Sequence, residues 1–498
     1  MKNNTRYSFG IDFGTTNSVV AFVSQEKELR SIRGAPDPSV VLYQGKRIIV
    51  GHDAKVQFHE ASADPNLAIF RSIKRELRDN SPYYIGSRRI LPIEISSEIF
   101  KHLRKRTLEA HNTKIEEAVV TVPIYFDGQE RRALREAAQM AGIHIRMFLH
   151  EPTAAIIRYY VEMKEPQYIA VFDWGGGTLD ITLAHIFNNK IEELALGGVV
   201  DKSGDYFDQL IFEHVWRDHR RRFGYDDTCH ITTMMQDEGL WACEGMKRDL
   251  SEKVVAPIEI WGFDENHNDL EGKLNRDQFE NLIEDAVNRA IQELDTVLGD
   301  SGLKRHQLNR ILLIGGSCRI PVVIEKLKRE YGSIIDEMPR PIGVTDETYH
   351  HLVPFNPVTS IAEGAAIIAS KSNCVPYLAR HIGIEASNGR FETLIEKGKP
   401  LSKQEELQQV CTLAVGDTDS GYADVKVFES KDGRECDKLL GHLKMPVDKN
   451  SLQNQIKLQI SIDADDFILN IAGTSKSPRQ IVERTIEIPD LKYGLELV

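Results

Sequence analysis

The chain has 498 residues, too many for a single hydrophobic core, and that length suggests about three folding units. Its composition, 41% apolar and 28% charged, is that of a soluble globular protein, and no apolar run approaches the length of a membrane span. A net charge of -13 argues against nonspecific nucleic-acid binding, which depends on cationic contacts with phosphates, so neither nucleic acid nor membrane is an expected partner.

The N-terminal stretch MKNNTRYSFGIDFG lacks an apolar signal core and enters a strand almost at once, so export is not expected. The first strand pair is FGIDFGTTNSVVAF, residues 9 to 22: an apolar run, Asp12, an aromatic, Gly14, two threonines, then a second apolar run. VTVPIYF reads as a strand, and RRALREAAQMAGI, residues 131 to 143, has helical spacing. HEPTA at 150 to 154 begins like a zinc-protease helix, but Ala154 stands where the second histidine would be.

FDWGGGTLDIT, residues 172 to 182, repeats the first grammar: Asp173 matches Asp12, Trp174 matches Phe13, Gly175 matches Gly14 and Gly177 matches Thr16. One recurrence, 161 residues along, points to a duplicated domain rather than a solenoid. Taken alone, either stretch reads as an ordinary glycine turn. The basic run RDHRRRF, 217 to 223, reads as a solvated helix face. NRDQFENLIEDAVNRAIQELDTVL, 275 to 298, reads as a helix with Asn275 and Gln278 capping its start, and RILLIGGSCRIP as a buried strand, a Gly-Gly turn and a helix beginning near Pro321. Beyond Arg380 the pattern becomes strands and turns, with IKLQISID alternating cleanly. Six cysteines without a CxxC pair suit a reducing, cytoplasmic setting and no zinc site.

The two glycine hairpins have a chemical reading. A glycine-rich turn can aim several backbone N–H groups at a phosphate chain, and a carboxylate beside phosphate is tolerated if a hydrated divalent cation lies between them. Asp12 and Asp173 therefore read as holders of hydrated Mg²⁺, one from each half of a cleft.

These stretches resemble the phosphate loops of the actin, sugar-kinase and heat-shock ATPase superfamily. Four further stretches make the resemblance one to the seventy-kilodalton heat-shock chaperones of the DnaK type. FRSIKREL carries Lys74 at the catalytic lysine; AVVTVPIYFDGQERRAL carries Pro123 and Arg131 of the switch segment; HEPTAA carries Glu151. WACEGMKRDLS supplies Glu244, Lys247, Arg248 and Ser251 for the adenosine, and LLIGGSCRIP supplies Gly315, Gly316, Ser317, Arg319 and Ile320 on the other side of the base. The matches run in family order over roughly residues 7 to 370.

The resemblance implies an α/β fold: a two-lobed, duplicated ribonuclease-H-like (actin-like) ATPase domain over residues 1–372, a linker at 373–380, and a small all-β sandwich domain at 381–498. It implies ATP and ADP as ligands, with Mg²⁺ and K⁺. Gly14, Thr15, Thr16, Asn17, Gly175, Gly176 and Gly177 would hold phosphates, and Asp12, Asp173 and Asp180 the cations. Lys74, Glu151, Asp173 and Thr178 would surround the γ-phosphate and the attacking water. Unfolded or extended peptides, a J-domain co-chaperone and an exchange factor are the implied partners of a monomer.

Four departures qualify the carry-over. The stretch between Lys74 and Val119 is shorter than in familiar members, and Val358 stands where an acid is usual near the base pocket. SKSNCVPYLAR lacks the acidic, leucine-rich character of the family linker, and the few residues after the last strand leave no expectation of a helical lid. A nucleotide-dependent switch without a peptide cycle, a small-molecule kinase and an actin-like filament protein are the alternative readings.

Overall fold

Apolar runs broken by an acid and a glycine build the first two sheets. A computed structural model of the chain describes residues 7–32, 35–60, 67–159, 167–225, 231–336, 358–371, 374–401, 408–414, 420–449, 454–463, 468–476, 481–488 and 491–496. In the first hairpin Ser8–Phe13 lies antiparallel to Asn17–Val23, with Asp12 opposite Val19. In the second, Gln167–Trp174 lies antiparallel to Thr178–Phe187, with Asp173 opposite Asp180. The two acids thus occupy the same place in hairpins of the same turn length. Each first strand also has a parallel neighbour, Glu117–Val122 in one case and Arg310–Ile314 in the other. Parallel strands are covered on both faces, and residues 169 to 174 are all buried accordingly.

The first sheet runs His144–His150, Glu117–Val122, Ser8–Phe13, Asn17–Val23, Leu29–Ser31, with Asp37–Pro38 also on Asn17–Val23. The second runs Ile335–Asp336, Arg310–Ile314, Gln167–Trp174, Thr178–Phe187, Lys190–Val200, Tyr493–Glu496, Pro376–Leu378. Its last two strands come from far down the chain. Pro376–Leu378 falls within the stretch read as a linker; residue 373 of that stretch lies outside the described residues.

Local chemistry sets the helices. Gly128–Met140 starts from Asp127, whose carboxylate accepts from the Gln129 and Glu130 amides while Glu130 reaches back to the Asp127 amide. The long helix runs Arg276–Ser301 with Asn275 and Gln278 capping it as expected, and it buries Ile283, Val287, Ala290, Leu294 and Val297. The basic run lies at the end of the helix Gly204–Phe223, where Arg217, Arg221 and Arg222 are exposed. The described cysteines, Cys243, Cys318, Cys374, Cys411 and Cys436, are free. No helix among the described residues is long and apolar enough to cross a membrane.

After residue 380 come two four-stranded antiparallel sheets. One runs Phe391–Ile395, His381–Glu385, Tyr422–Ser430, Lys438–Pro446; the other runs Gln408–Ala414, Gln455–Asp463, Ile468–Lys476, Ile481–Ile488. Strand Gln455–Asp463 alternates as the sequence suggests, burying Ile456, Leu458, Ile460 and Ile462. These side chains share one apolar cluster with Val427 and Met445 of the other sheet. The same cluster continues into Leu149, Ile156, Val171 and Leu312, so it is unbroken from the C-terminal sheets to the first two.

Helix Ser360–Ser370 wedges the first sheet against helix Glu151–Tyr159. The approach is backbone to backbone. A Cβ on Gly10 would meet the Ala366 amide nitrogen at 2.2 Å, and one on Gly364 would meet the Ala154 carbonyl oxygen at 1.8 Å. Neither neighbour is a flexible side chain that can swing aside. Gly364→Ala is therefore expected to lower stability by about 1–3 kcal/mol, the usual cost of overpacking. Denaturant unfolding would show a lower midpoint with an unchanged slope; an unchanged midpoint would contradict the contact.

Candidate functional site

The two hairpin turns face each other. A Cβ added to Gly176 would lie 2.2 Å from the Thr16 hydroxyl oxygen, and one on Gly177 would lie 3.0 Å from that of Thr15. Only glycine leaves room for the two turns to come this close. Each turn is tied down from behind. Ser39 donates to the Gly14 carbonyl at 2.8 Å, and the Gly175 amide closes its own turn on the Thr178 carbonyl at 3.0 Å. The junction between strand Lys190–Val200 and helix Gly204–Phe223 adds two bonds, Gly204 N to Gly175 O at 3.1 Å and Asp205 N to Gly176 O at 2.8 Å. Ser317 donates to the Gly175 carbonyl at 2.9 Å, and Arg75 to the Gly177 carbonyl at 2.9 Å. With their carbonyls engaged outward, the turns can offer their remaining amides inward. The Thr16 hydroxyl is buried with no partner among the described residues, as suits a hydroxyl that faces a ligand.

Below the turns sit four carboxylates. Asp12 lies one residue before the end of the first strand and accepts from the Thr121 hydroxyl at 3.2 Å. Asp180, paired in register with Asp173, accepts from the Thr178 hydroxyl at 2.7 Å and from the Ile124 amide at 3.3 Å. Glu151 opens its helix and accepts from Lys74 Nζ at 2.7 Å. Lys74 is 3% exposed and is presented by a short 3₁₀ turn, Ile73–Glu76, that follows Ser72 in the left-handed region at φ 53°. A non-glycine residue held there stores strain, and such positions cluster at functional sites.

Charge balance is the notable property of this floor. Burial, and then the Glu151 charge, push Asp12 up to about 7 despite the opposing pull of Lys74. Burial and Glu151 push Asp180 up to about 7 as well. Asp173 is raised well above the carboxylate range by burial, then by Glu151, Asp180 and Asp12. Lys74 is an ammonium acting on all three. No three acids gather closely enough among the described residues to hold a bare metal ion, so the charge and hardness of the set suit a divalent cation held through its own waters.

The rest of the cleft lies above. Helix Thr233–Glu252 carries Glu244, Lys247, Arg248 and Ser251 on one side; Gly315, Gly316, Ser317, Arg319 and Ile320 form the other. Lys247 donates to the Gly204 carbonyl and to Asp208, both at 2.8 Å. Burial lifts Asp208 to about 7 even against the Lys247 charge. Arg248 and Lys55 share Glu244, at 2.6 and 3.2 Å. Gly315 needs its φ of +82°, and a Cβ there would strike the Trp174 carbonyl at 2.3 Å. Two adjoining cavities of about 570 and 440 Å³ fill the cleft, and every residue singled out from the sequence for the phosphates, cations or adenosine lines one or both, as does Pro123. Arg131 lines neither, being fully buried and donating to the Phe126 carbonyl at 2.8 Å. Val358 lines the inner cavity, 37% exposed; residues 337–357 before it lie outside the described residues.

Several cleft residues escaped the sequence reading. Gly204, Asp205 and Asp208 lie in SGDYFD, where a glycine and an acid directly after a strand were the available signal. Trp241 opens the quoted stretch WACEGMKRDLS, but no role was read for it there. It sits in an apolar pocket of Val40, Leu42, Ile49 and Ala54, with Lys55 and Arg71 each 5.4 Å from its ring. Arg71 also pairs with Asp237 at 2.5 Å, so aromatic and ionic contacts together bridge the top of the cleft.

A proton on Asp12 or Asp180 competes with a cation. Cation affinity should therefore rise as the pH is raised through about 7, where these carboxyls deprotonate. The stability sign is opposite: the protonated carboxyls favour the cation-free fold below the ordinary value, and that contribution is lost as pH rises through about 7. Carboxyl ¹³C NMR is expected to show both aspartates titrating near 7, with Mg²⁺ bringing the midpoints down. Mg²⁺ binding of equal strength at pH 6 and pH 8 would contradict this.

A family model described as Hsp70 protein matches residues 8–493, a span that takes in both hairpins, the cleft and both C-terminal sheets.

Proposed function

The chain belongs to the Hsp70 family, a family of ATP-dependent chaperones, and from that premise we propose that it binds and hydrolyses ATP in the cleft between the two hairpins. In this reading the first two sheets are the cores of two duplicated, ribonuclease-H-like lobes within residues 1–372. Residues 373–380 connect them to a β-sandwich domain at 381–498 that takes unfolded or extended peptides. The observation that carries the proposal is the matched pair of turns, each fronted by an aspartate at the same register, meeting above a buried Lys74–Glu151 pair.

Asp12 and Asp173 would hold hydrated Mg²⁺ through its waters, and Asp180 would help hold K⁺. Mg²⁺, when bound, would supply charge neutralisation to the phosphates. The chain's own residues do the positioning. Amides of residues 14–17 and of Gly176 and Gly177 cradle the phosphate chain, Gly175 shapes their turn by closing it on the Thr178 carbonyl, and the Thr178 hydroxyl stands beside the γ-phosphate. Lys74 offsets negative charge where water attacks in line, and Glu151, held by Lys74, orients that water. No covalent intermediate with the protein is needed, because phosphoryl transfer asks mainly for alignment and charge neutralisation. Glu244, Lys247, Arg248 and Ser251 would face the adenosine opposite residues 315–320.

A J-domain co-chaperone, an exchange factor, a monomeric state and a cytoplasmic location belong to the same reading. The apolar cluster shared between the C-terminal sheets and the nucleotide cleft favours, as a second reading, a nucleotide-dependent switch without a peptide cycle. ATPase rates with and without an unfolded peptide and a J-domain separate the two: stimulation supports the chaperone cycle, and its absence favours the switch. Phosphorylation of a sugar would overturn both.

Lys74→Ala is expected to retain ATP binding while turnover falls by about 10²–10³, the usual effect of removing one electrostatic contributor. Single-turnover phosphate release measures it, and an unchanged rate would remove Lys74 from the mechanism.

A further inference from the structure

Strand Tyr493–Glu496 lies inside the second sheet, between Lys190–Val200 and Pro376–Leu378. Gly494 makes the fit possible, since a Cβ there would meet the Tyr377 ring at 2.3 Å. Tyr493 is 1% exposed, and its hydroxyl oxygen accepts from the His150 amide at 2.8 Å. Its ring packs on the His150 ring with centroids 4.8 Å apart. His150 is further fixed by Glu193, whose Oε1 lies 3.0 Å from His150 Nδ1 and also accepts from the Thr153 hydroxyl at 2.5 Å. His150 is the residue before Glu151, and Thr153 is two residues after it. The backbone that aims Glu151 at Lys74 is thus gripped on both sides, and part of the grip comes from a strand at the far end of the chain.

That strand is anchored to the C-terminal sheets. Lys492, next to Tyr493, is buried and donates to Glu429 of strand Tyr422–Ser430. Any movement of those sheets relative to the cleft therefore pulls on the residue that holds the His150 amide. We infer that Tyr493 is a positioning residue for Glu151, acting through His150, and that it makes the geometry of the proposed hydrolytic site depend on the seating of the C-terminal strand. The inference rests on the ATPase reading for its functional consequence, and on the Tyr493–His150 contact for its structure.

Tyr493→Phe in the full chain keeps the ring and removes only the hydroxyl. Turnover should fall about three- to tenfold, the range expected for losing the buried hydrogen bonding of this hydroxyl with the His150 amide and Thr153, with KM for ATP unchanged. Exchange of the amides at 149–153 with deuterated water should quicken by a similar factor. Tyr377→Phe, which removes a hydroxyl bonded to Glu192 at 3.3 Å on the same strand assembly, serves as the control and should change neither. Equal effects from both variants, or exchange at 149–153 unaltered in Tyr493→Phe, would overturn the inference. If the unmodified protein does not hydrolyse ATP, the ATPase reading fails, and the exchange comparison still decides whether Tyr493 holds this backbone.

Discussion

Four carboxylates and one ammonium at the base of a buried cleft impose the main constraint on this protein. An isolated buried charge costs several kcal/mol unless it is paired, hydrogen-bonded or neutralised by a proton or cation. Lys74 answers for Glu151 at 2.7 Å, but Asp12, Asp173 and Asp180 keep an excess of negative charge that burial turns into raised proton affinity. Such an arrangement survives only if the surrounding scaffold is rigid enough to hold the acids together against their repulsion. Strand ends buried on both faces supply that rigidity.

The scaffold meets the constraint by bringing backbones unusually close. Gly176 faces Thr16, Gly10 faces helix Ser360–Ser370, and Gly364 faces Ala154. In each case the absent Cβ is what allows the approach, so these glycines act through tertiary contact rather than through turn conformation. None of Gly10, Gly176 and Gly364 has the positive φ seen at Gly315. The dense packing of these elements also explains how helix Glu151–Tyr159 can present Glu151 so firmly: its next seven residues, Pro152 to Arg158, are all buried.

The C-terminal sheets share an apolar cluster with the cleft-bearing sheets, and the second sheet borrows two strands from either end of that region. Ile191, Leu378, Tyr493 and Leu495 all lie in this one cluster. The connector between the regions is thus itself a paired strand in the described structure. Its unacidic sequence, VPYLAR, suits a strand that buries Pro376 and Leu378.

Much of this was legible in the sequence because it is written in local patterns. The Asp-aromatic-Gly repetition marked both hairpins, since an apolar run stopped by an acid and glycine has few other meanings. Asn275 and Gln278 marked a helix start because a capping box is made by neighbours three residues apart. The alternation of IKLQISID marked a half-buried strand. What only the tertiary structure decided were meetings across long separations: Thr16 against Gly176, Trp241 in the pocket of Val40 and Leu42, and Tyr493 beneath His150. Periodicity records which face of an element is buried but not what it is buried against. The partner is chosen by packing, and packing is a property of the whole chain.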